Sequence, residues 1–369
     1  MVETLSGEPA DLRRDRHVEL RAALAACDDD GLRSLVFASA STSRTWGASH
    51  VVSMNGETVF VKRVPLTDVE LACPLSTRNL FQLPGYYSYG VGSAGFGVFR
   101  ELATHEKTTS WVLAGAAPGF PLLHHHRVMP RLEQPPPFPM PLEDYVAYWN
   151  SSKTVARYIQ ARHQATREVW FVVEFVPHTL ADWIANHQER TDDAIAALCR
   201  TVTFLRQHGI VHFDAHFGNV LTDGDEFYLA DFGLTLDRTF ELTATERRFL
   251  DRHQYYDYGT VLWSLGSAMR TMFRSLPPAA RHEVAEGFGP ERSTDGQDTL
   301  VALIDNADNL RRTGALRLEP PFVEALHRYR EVIVFMDRFF YGMRSKRKNV
   351  RYDDGTLERL LHRARAPIT

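Results

Sequence analysis

The sequence predicts an α+β fold, with a small β-rich first part and a larger helical second part. Three observations lead there. Apolar residues recur through His50–Met54 and Thr58–Val64 on either side of Asn55-Gly56, a dipeptide that strongly favours a two-residue hairpin turn. The run Val169–Phe175 (VWFVVEF) is apolar except for Glu174, as expected of a buried strand. Beyond residue 176 the pattern becomes helical. Ile195, Leu198, Val202 and Leu205 share one face of a segment from Asp192 to Gln207, and residues 250–340 hold several more helices.

Taken in order, residues 1–30 read as a charged lead-in and a helix over Arg16–Cys27, ending in the turn Asp28-Asp29-Asp30-Gly31. Leu32–Ala38 reads as a first strand, and the Ser/Thr-rich stretch SASTSRTWGAS (39–49) as a loop before the hairpin. Residues 65–97 are irregular and contain GVGSAGFG (Gly90–Gly97), which matches the spacing GxGxxG. FRELATHEKTTSWVLAG then reads as a helix stopped by Gly115, and Phe120–Met129 as a strand. The proline-rich segment RLEQPPPFPMP (131–141) is a spacer, and Leu142–His163 carries helical spacing. The organisation expected is therefore a lead-in (1–30), a β-rich part (31–175) with insertions at 65–97 and 130–168, and a helical part (176–369) with a C-terminal helical extension.

The chain has 369 residues, of which 44% are hydrophobic and 24% charged, ordinary values for a protein that buries a core. A formal net charge of -4 gives no electrostatic reason to expect nucleic acid or an acidic membrane as partner. Cys27, Cys73 and Cys199 are far apart and form no CxxC pair, which suits a reducing compartment. The first residues lack an apolar signal core and no run approaches a membrane span. A soluble, cytoplasmic protein is expected.

The segment GIVHFDAHFGNVLTDGDEFYLADFGL (209–234) carries the chemistry. It contains H-x-D-x-x-x-x-N at His212, Asp214 and Asn219, then Asp231-Phe232-Gly233, with Asp231 17 residues after Asp214. A hairpin turning at Asp223-Gly224 lies between them. A hydroxyl that attacks a terminal phosphate needs a carboxylate beside it, and divalent cations on the phosphates need oxygen ligands. In order, spacing and hairpin context this segment resembles the catalytic and metal loops of protein-kinase-like phosphotransferases. That family includes protein kinases, aminoglycoside phosphotransferases and choline kinases. The resemblance implies a bilobal fold, with an N-lobe to Phe175 and a C-lobe from Val176. It implies ATP and Mg²⁺ as cofactors, Asp214 as the catalytic base, and Asn219 and Asp231 as metal ligands.

The resemblance extends to other segments. VFVK (59–62) is similar to the lysine strand, which implies that Lys62 meets the α and β phosphates. VVEFVPHTLADWI (172–184) is similar to the hinge, so the backbone carbonyl of Glu174 and the N–H of Val176 would meet adenine. Lys62 should pair with a glutamate of the following helix; Glu101 is preferred to Glu106, five residues on. Asp257, in YYDYGTVLWSLG, matches a buried aspartate that braces the catalytic loop.

The departures from the pattern bear on the acceptor. The stretch 39–49 has one glycine, and Phe60 takes the small position beside Lys62. Phe213 stands where regulated protein kinases carry arginine, and His216 where Ser/Thr kinases carry lysine. Only 26 residues separate Asp231 from Asp257, with no APE tripeptide. The last three features favour a small-molecule hydroxyl as acceptor, whereas Phe60 and the single-glycine stretch, where a glycine-rich phosphate loop would stand, favour a silent scaffold. The alternatives are an atypical protein Ser/Thr kinase and a catalytically silent scaffold. GVGSAGFG lies almost thirty residues after Lys62, whereas a phosphate loop precedes its lysine. No buried strand leads into it, so the dinucleotide fingerprint fails too. It reads as a tight lead-in to the Glu101 helix. His124-His125-His126 reads as ordinary strand, and RSKRKNVR (344–351) as a solvated basic face.

Overall fold

The computed structural model describes residues 10–39, 41–44, 47–132, 140–288, 296–345, 348 and 350–368. Its class is α+β, as expected: a small antiparallel sheet and a helical bulk. The chain divides into two compact units, Met1–Pro177 with Asp223–Arg247, and His178–Thr222 with Arg248–Thr369.

In the first unit the sheet grows from the hairpin. Asn55 (φ 52°) and Gly56 (φ 86°) both take positive φ, the geometry that closes a two-residue turn without splaying its strands. They join β2 (Gly47–Met54) to β3 (Glu57–Leu66), while β1 (Ser41–Arg44) pairs with β2 from Ser41↔His50 to Arg44↔Gly47. With β4 (Leu123–Pro130) and β5 (Arg167–Glu174), the order is β1-β2-β3-β5-β4. β3 is central between β2 and β5, and a register shift between Leu123 and His125 bulges β4.

Two readings change here. Leu32–Ala38 is not a strand: α1 (Ala10–Ala26) is followed by α2 (Asp29–Phe37), whose N-cap Asp28 accepts from Gly31 N at 2.7 Å. A capped first turn rich in aspartate decided a short apolar run whose period fits either state. The stretch 39–49, expected as a loop, holds β1 and the start of β2, paired antiparallel, with Ala40, Thr45 and Trp46 outside the described residues. Residues 133–139 of the proline-rich spacer also lie outside them, as do Lys346, Arg347 and Asn349 of the basic run.

Alternation along the strands splits the core in two. Val59 and Val61 join Trp170 and Val172 with Leu20 and Leu24 of α1 and Leu32 and Val36 of α2. On the opposite face Val64 and Leu66 join Val169, Phe171 and Val173 with Val98, Phe99 and Leu102 of α4 (Val98–Leu113). Each fully buried aliphatic or aromatic side chain adds ~1.5–3 kcal/mol to this arrangement. The insertions add α3 (Asp68–Leu71), α5 (Leu142–Tyr148) and α6 (Lys153–Gln164); short strands Phe227–Leu229 and Leu236–Asp237 complete the unit.

The second unit begins with β6 (His178–Thr179) and α7 (Leu180–Trp183), then α8 (Thr191–Gln207). Ile195, Leu198, Val202 and Leu205 are all buried on α8, the face expected from their spacing. β7 (Ile210–Val211) and β8 (Val220–Thr222) flank the segment that carries His212, Asp214 and Asn219, and β6 pairs with β8. α9 (Ala244–Asp251) crosses the division, and α10 (Tyr256–Arg274), α11 (Pro278–Phe288), α12 (Gly296–Asp305), α13 (Ala307–Thr313), α14 (Pro320–Arg328), α15 (Arg330–Arg344) and α16 (Asp354–Arg363) follow. α10 is the most buried helix of the unit and packs against α8, α12 and α15. No described helix is long and apolar enough to cross a membrane.

Candidate functional site

The residues singled out in the sequence fall into two groups, one in each unit. In the first unit, Lys62 lies on the β3 face that carries Val64 and Leu66, so its stem runs towards α4. On α4, Glu101 is 4% exposed and sits beside Leu102. Lys62 Nζ donates to Glu101 Oε1 at 2.6 Å and to Asp231 Oδ1 at 2.9 Å. Burial opposes the charged ammonium, but the facing Asp231 and Glu101 carboxylates prevail and raise its pKa above the ordinary lysine range. Glu106, the other candidate partner, is exposed and lies 3.9 Å from His126.

Asp231 reaches the lysine because its backbone takes φ 64°, a left-handed conformation that aspartate tolerates better than most residues. Phe232 is fully buried, its ring edge-on to His105 (centroids 4.8 Å) and tilted against Phe120. His105 follows Glu101 by one helical turn, so one face of α4 meets the lysine and anchors Phe232.

Glu174 ends β5, and its N–H donates to Leu122 O at 2.8 Å. Its carboxylate is held by Arg13 of α1, with Nε to Oε1 at 2.8 Å and Nη2 to Oε2 at 2.6 Å. The same guanidinium donates to Pro118 O and Phe120 O and lies over the Tyr228 ring. Val176 is half-buried in irregular backbone two residues on. Arg13 is the residue sequence reasoning missed, because a partner 161 positions away leaves no local signal.

In the second unit, α8 and β7 deliver His212, Phe213 and Asp214. Phe213 takes φ 65° and buries its ring among Phe249, His253 and Tyr256. That strained turn is held by Asp257, at the start of α10, which accepts from His212 N at 2.6 Å and Phe213 N at 2.9 Å. Burial pushes the Asp257 carboxyl up to about 7, against the pull of those two N–H groups.

Asp214 is held on both oxygens. Asn219 Nδ2 donates to Asp214 Oδ2 at 2.9 Å and to Asp214 O at 3.0 Å. His216 Nε2 lies 3.5 Å from Asp214 Oδ1, and its Nδ1 accepts from Gly218 N at 3.0 Å. Since Nδ1 is an acceptor, the neutral ring carries its proton on Nε2, towards Asp214. The Asn219 nitrogen is committed to Asp214, so of its side chain only the carboxamide oxygen could serve a hard divalent cation.

Other candidates go elsewhere. His124 faces His17 at 3.1 Å, and among the described residues no group of three or more His, Cys, Asp and Glu side chains is placed to hold a metal. A cleft of 540 Å³ in the second unit, lined by residues including Arg330, Phe335, Arg338 and Val350, contains none of the residues expected at the site. No protein-family model matches the chain, and a search of curated proteins finds no match.

Proposed function

We propose that this chain is an ATP- and Mg²⁺-dependent phosphotransferase of bilobal, protein-kinase-like fold. The observation that carries the reading is Lys62, set between Glu101 at 2.6 Å and Asp231 at 2.9 Å. A lysine fixed by a helix glutamate and adjoining a metal-loop aspartate is the arrangement that orients nucleotide phosphates. The Asp214–Asn219 loop, braced by Asp257, supports the same reading.

In the proposed reaction the acceptor oxygen bonds to the γ-phosphorus as the bond to the β–γ bridging oxygen breaks. ADP leaves with that electron pair, and the hydroxyl proton passes to Asp214. Asn219 and Asp231 would hold Mg²⁺, which neutralises phosphate charge when bound. Lys62 binds and orients the phosphates. Glu174 and Val176 are assigned to adenine through backbone groups, with the Glu174 side chain committed to Arg13.

A small-molecule hydroxyl is the favoured acceptor, ahead of a protein serine or threonine. Phe213, buried among three rings, replaces the arginine that would receive a regulatory phosphate. The segment after Gly233 is tied down along its length: Asp237 to Lys107, Glu241 to Arg78 and Glu246 to Arg100. Such a segment offers little free chain for docking a peptide. One observation favours a silent scaffold instead, namely that the half-buried Phe60 shares the Lys62 face of β3.

The test is to incubate the purified protein with ATP, Mg²⁺ and a cell extract, with Asp214→Ala as control. Mass spectrometry should find a small molecule heavier by one phosphate, and the control should form it ~10²–10⁴-fold more slowly. Label on protein alone would make it a protein kinase. Nucleotide binding with no ATP consumed would leave the scaffold.

A further inference from the structure

The motif GVGSAGFG holds no place in the proposed nucleotide site, yet its backbone is bound at almost every step. Tyr148 Oη donates to Val91 O at 2.6 Å and Tyr145 Oη to Gly92 O at 3.0 Å. Ala94 N donates to Tyr87 Oη at 3.0 Å, and the Tyr87 and Tyr145 hydroxyls are 2.8 Å apart. The two ends of this chain fix its direction, because Ala94 N–H only donates and Gly92 O only accepts. Tyr87 therefore donates to Tyr145, and Tyr145 to Gly92. Both rings are buried and pack with Trp149.

Beyond this ladder the segment meets the metal-loop turn. Phe96 N donates to Gly233 O at 2.9 Å. Gly95 takes φ 93°, and a Cβ there would stand 3.1 Å from the same Gly233 O. Two residues later Val98 N, at the start of α4, donates to Glu70 Oε1 at 2.9 Å. Glu70 is itself buried and fixed by Thr67 N and Oγ1. One short stretch thus holds both Gly233, two residues from Asp231, and the helix that carries Glu101.

We propose that residues 87–97, with Tyr145 and Tyr148 of α5, form a brace that sets Asp231 and Glu101 in register around Lys62. Tyr87, Tyr145 and Tyr148 are positioning residues: they act on Asp231 through Phe96 N and Gly233 O. The two insertions of the β-rich part are one device rather than two decorations. Its effect on catalysis rests on the proposed phosphotransfer reading; its mechanical part does not.

The double variant Tyr145→Phe/Tyr148→Phe keeps both rings and removes two donors to the segment. Hydrogen exchange of the nucleotide-free protein should quicken about fivefold or more in peptides covering 94–97 and 231–235, since each lost bond is worth about that factor. By calorimetry its ATP affinity without Mg²⁺ should match the wild type, and the gain on adding Mg²⁺ should shrink several-fold. Gly95→Ala disturbs the contact from the other side and should quicken 231–235 while leaving 142–148 unchanged. Unchanged exchange at 231–235 in both variants would overturn the brace, as would a Mg²⁺ gain equal to wild type. A wild type that binds no nucleotide would remove the phosphotransfer reading, and the exchange result would still decide the brace.

Discussion

Asp214 owes its position to its neighbours. Asn219 holds one oxygen and His216 faces the other, while Asp257 fixes the two residues before it through their N–H groups. Each neighbour predicts a different loss. His216→Ala removes the imidazole that faces the carboxylate at 3.5 Å and should lower turnover up to roughly 10-fold, the scale of a lost polar contact to a charged group. KM for ATP should not move; equal turnover in mutant and wild type would remove His216 from the account. Asp257→Asn sets an amide nitrogen against a backbone N–H and should cost ~1–3 kcal/mol in urea unfolding. Stability unchanged within ~0.5 kcal/mol would show that Asp257 does not hold the turn. The sequence spacing placed Asp214 and Asn219 close together, and the structure pairs them at 2.9 Å. Arg13 was not legible in the sequence, since its partner is remote in the chain.

Among elements, the junction of α1 with β4 is tuned by pH. His17 and His124 are 2% and 3% exposed, and their Nδ1 atoms face each other at 3.1 Å. One of those atoms must donate and the other accept, so the accepting Nδ1 cannot take up a proton without breaking the contact. Burial lowers His124 from 6.5 to about 3, helped by His17, Arg13 and Arg16. Burial, Arg21 and Arg13 lower His17 too, with Glu174 alone opposing. The unfolded chain takes up protons that the fold refuses. The stability this pair contributes is therefore complete above pH 6.5 and is lost as pH falls towards 3. The loss approaches about 1.4 kcal/mol per pH unit for each histidine held neutral. Denaturation followed from pH 8 to pH 5 should show a flatter slope in His17→Asn/His124→Gln than in wild type. Identical slopes would contradict the assignment. Sequence reasoning found the helix before β1 and the strand β4, but not their contact. It also read α2 as a strand, because nine residues of mixed apolar character fit both periods and only the Asp28 cap separates them. Where a local signal was strong, as at Asn55-Gly56, element and boundary were both legible.

At the scale of the whole chain, the sequence carries the order of elements and the identity of the chemical groups. Tertiary packing supplies the choice among them. Glu101 and Glu106 are both on α4, and five residues turn them to different faces. The packing of Phe232 on His105 and the bond from Lys62 select Glu101. The lead-in GVGSAGFG was legible as a tight turn before α4, but two of its tyrosine partners, Tyr145 and Tyr148, lie over 50 residues away on α5. The proposed function has Lys62 and Asp231, paired at 2.9 Å, meet the nucleotide and its cation. Calorimetric titration of ATP, with and without Mg²⁺, into wild type, Lys62→Met and Asp231→Asn tests it most directly. Wild-type binding should fall on the order of 1 μM to 1 mM, tightened by Mg²⁺. Binding should be lost in Lys62→Met and its Mg²⁺ dependence lost in Asp231→Asn. No ATP binding by the wild type, or binding indifferent to both substitutions, would contradict it.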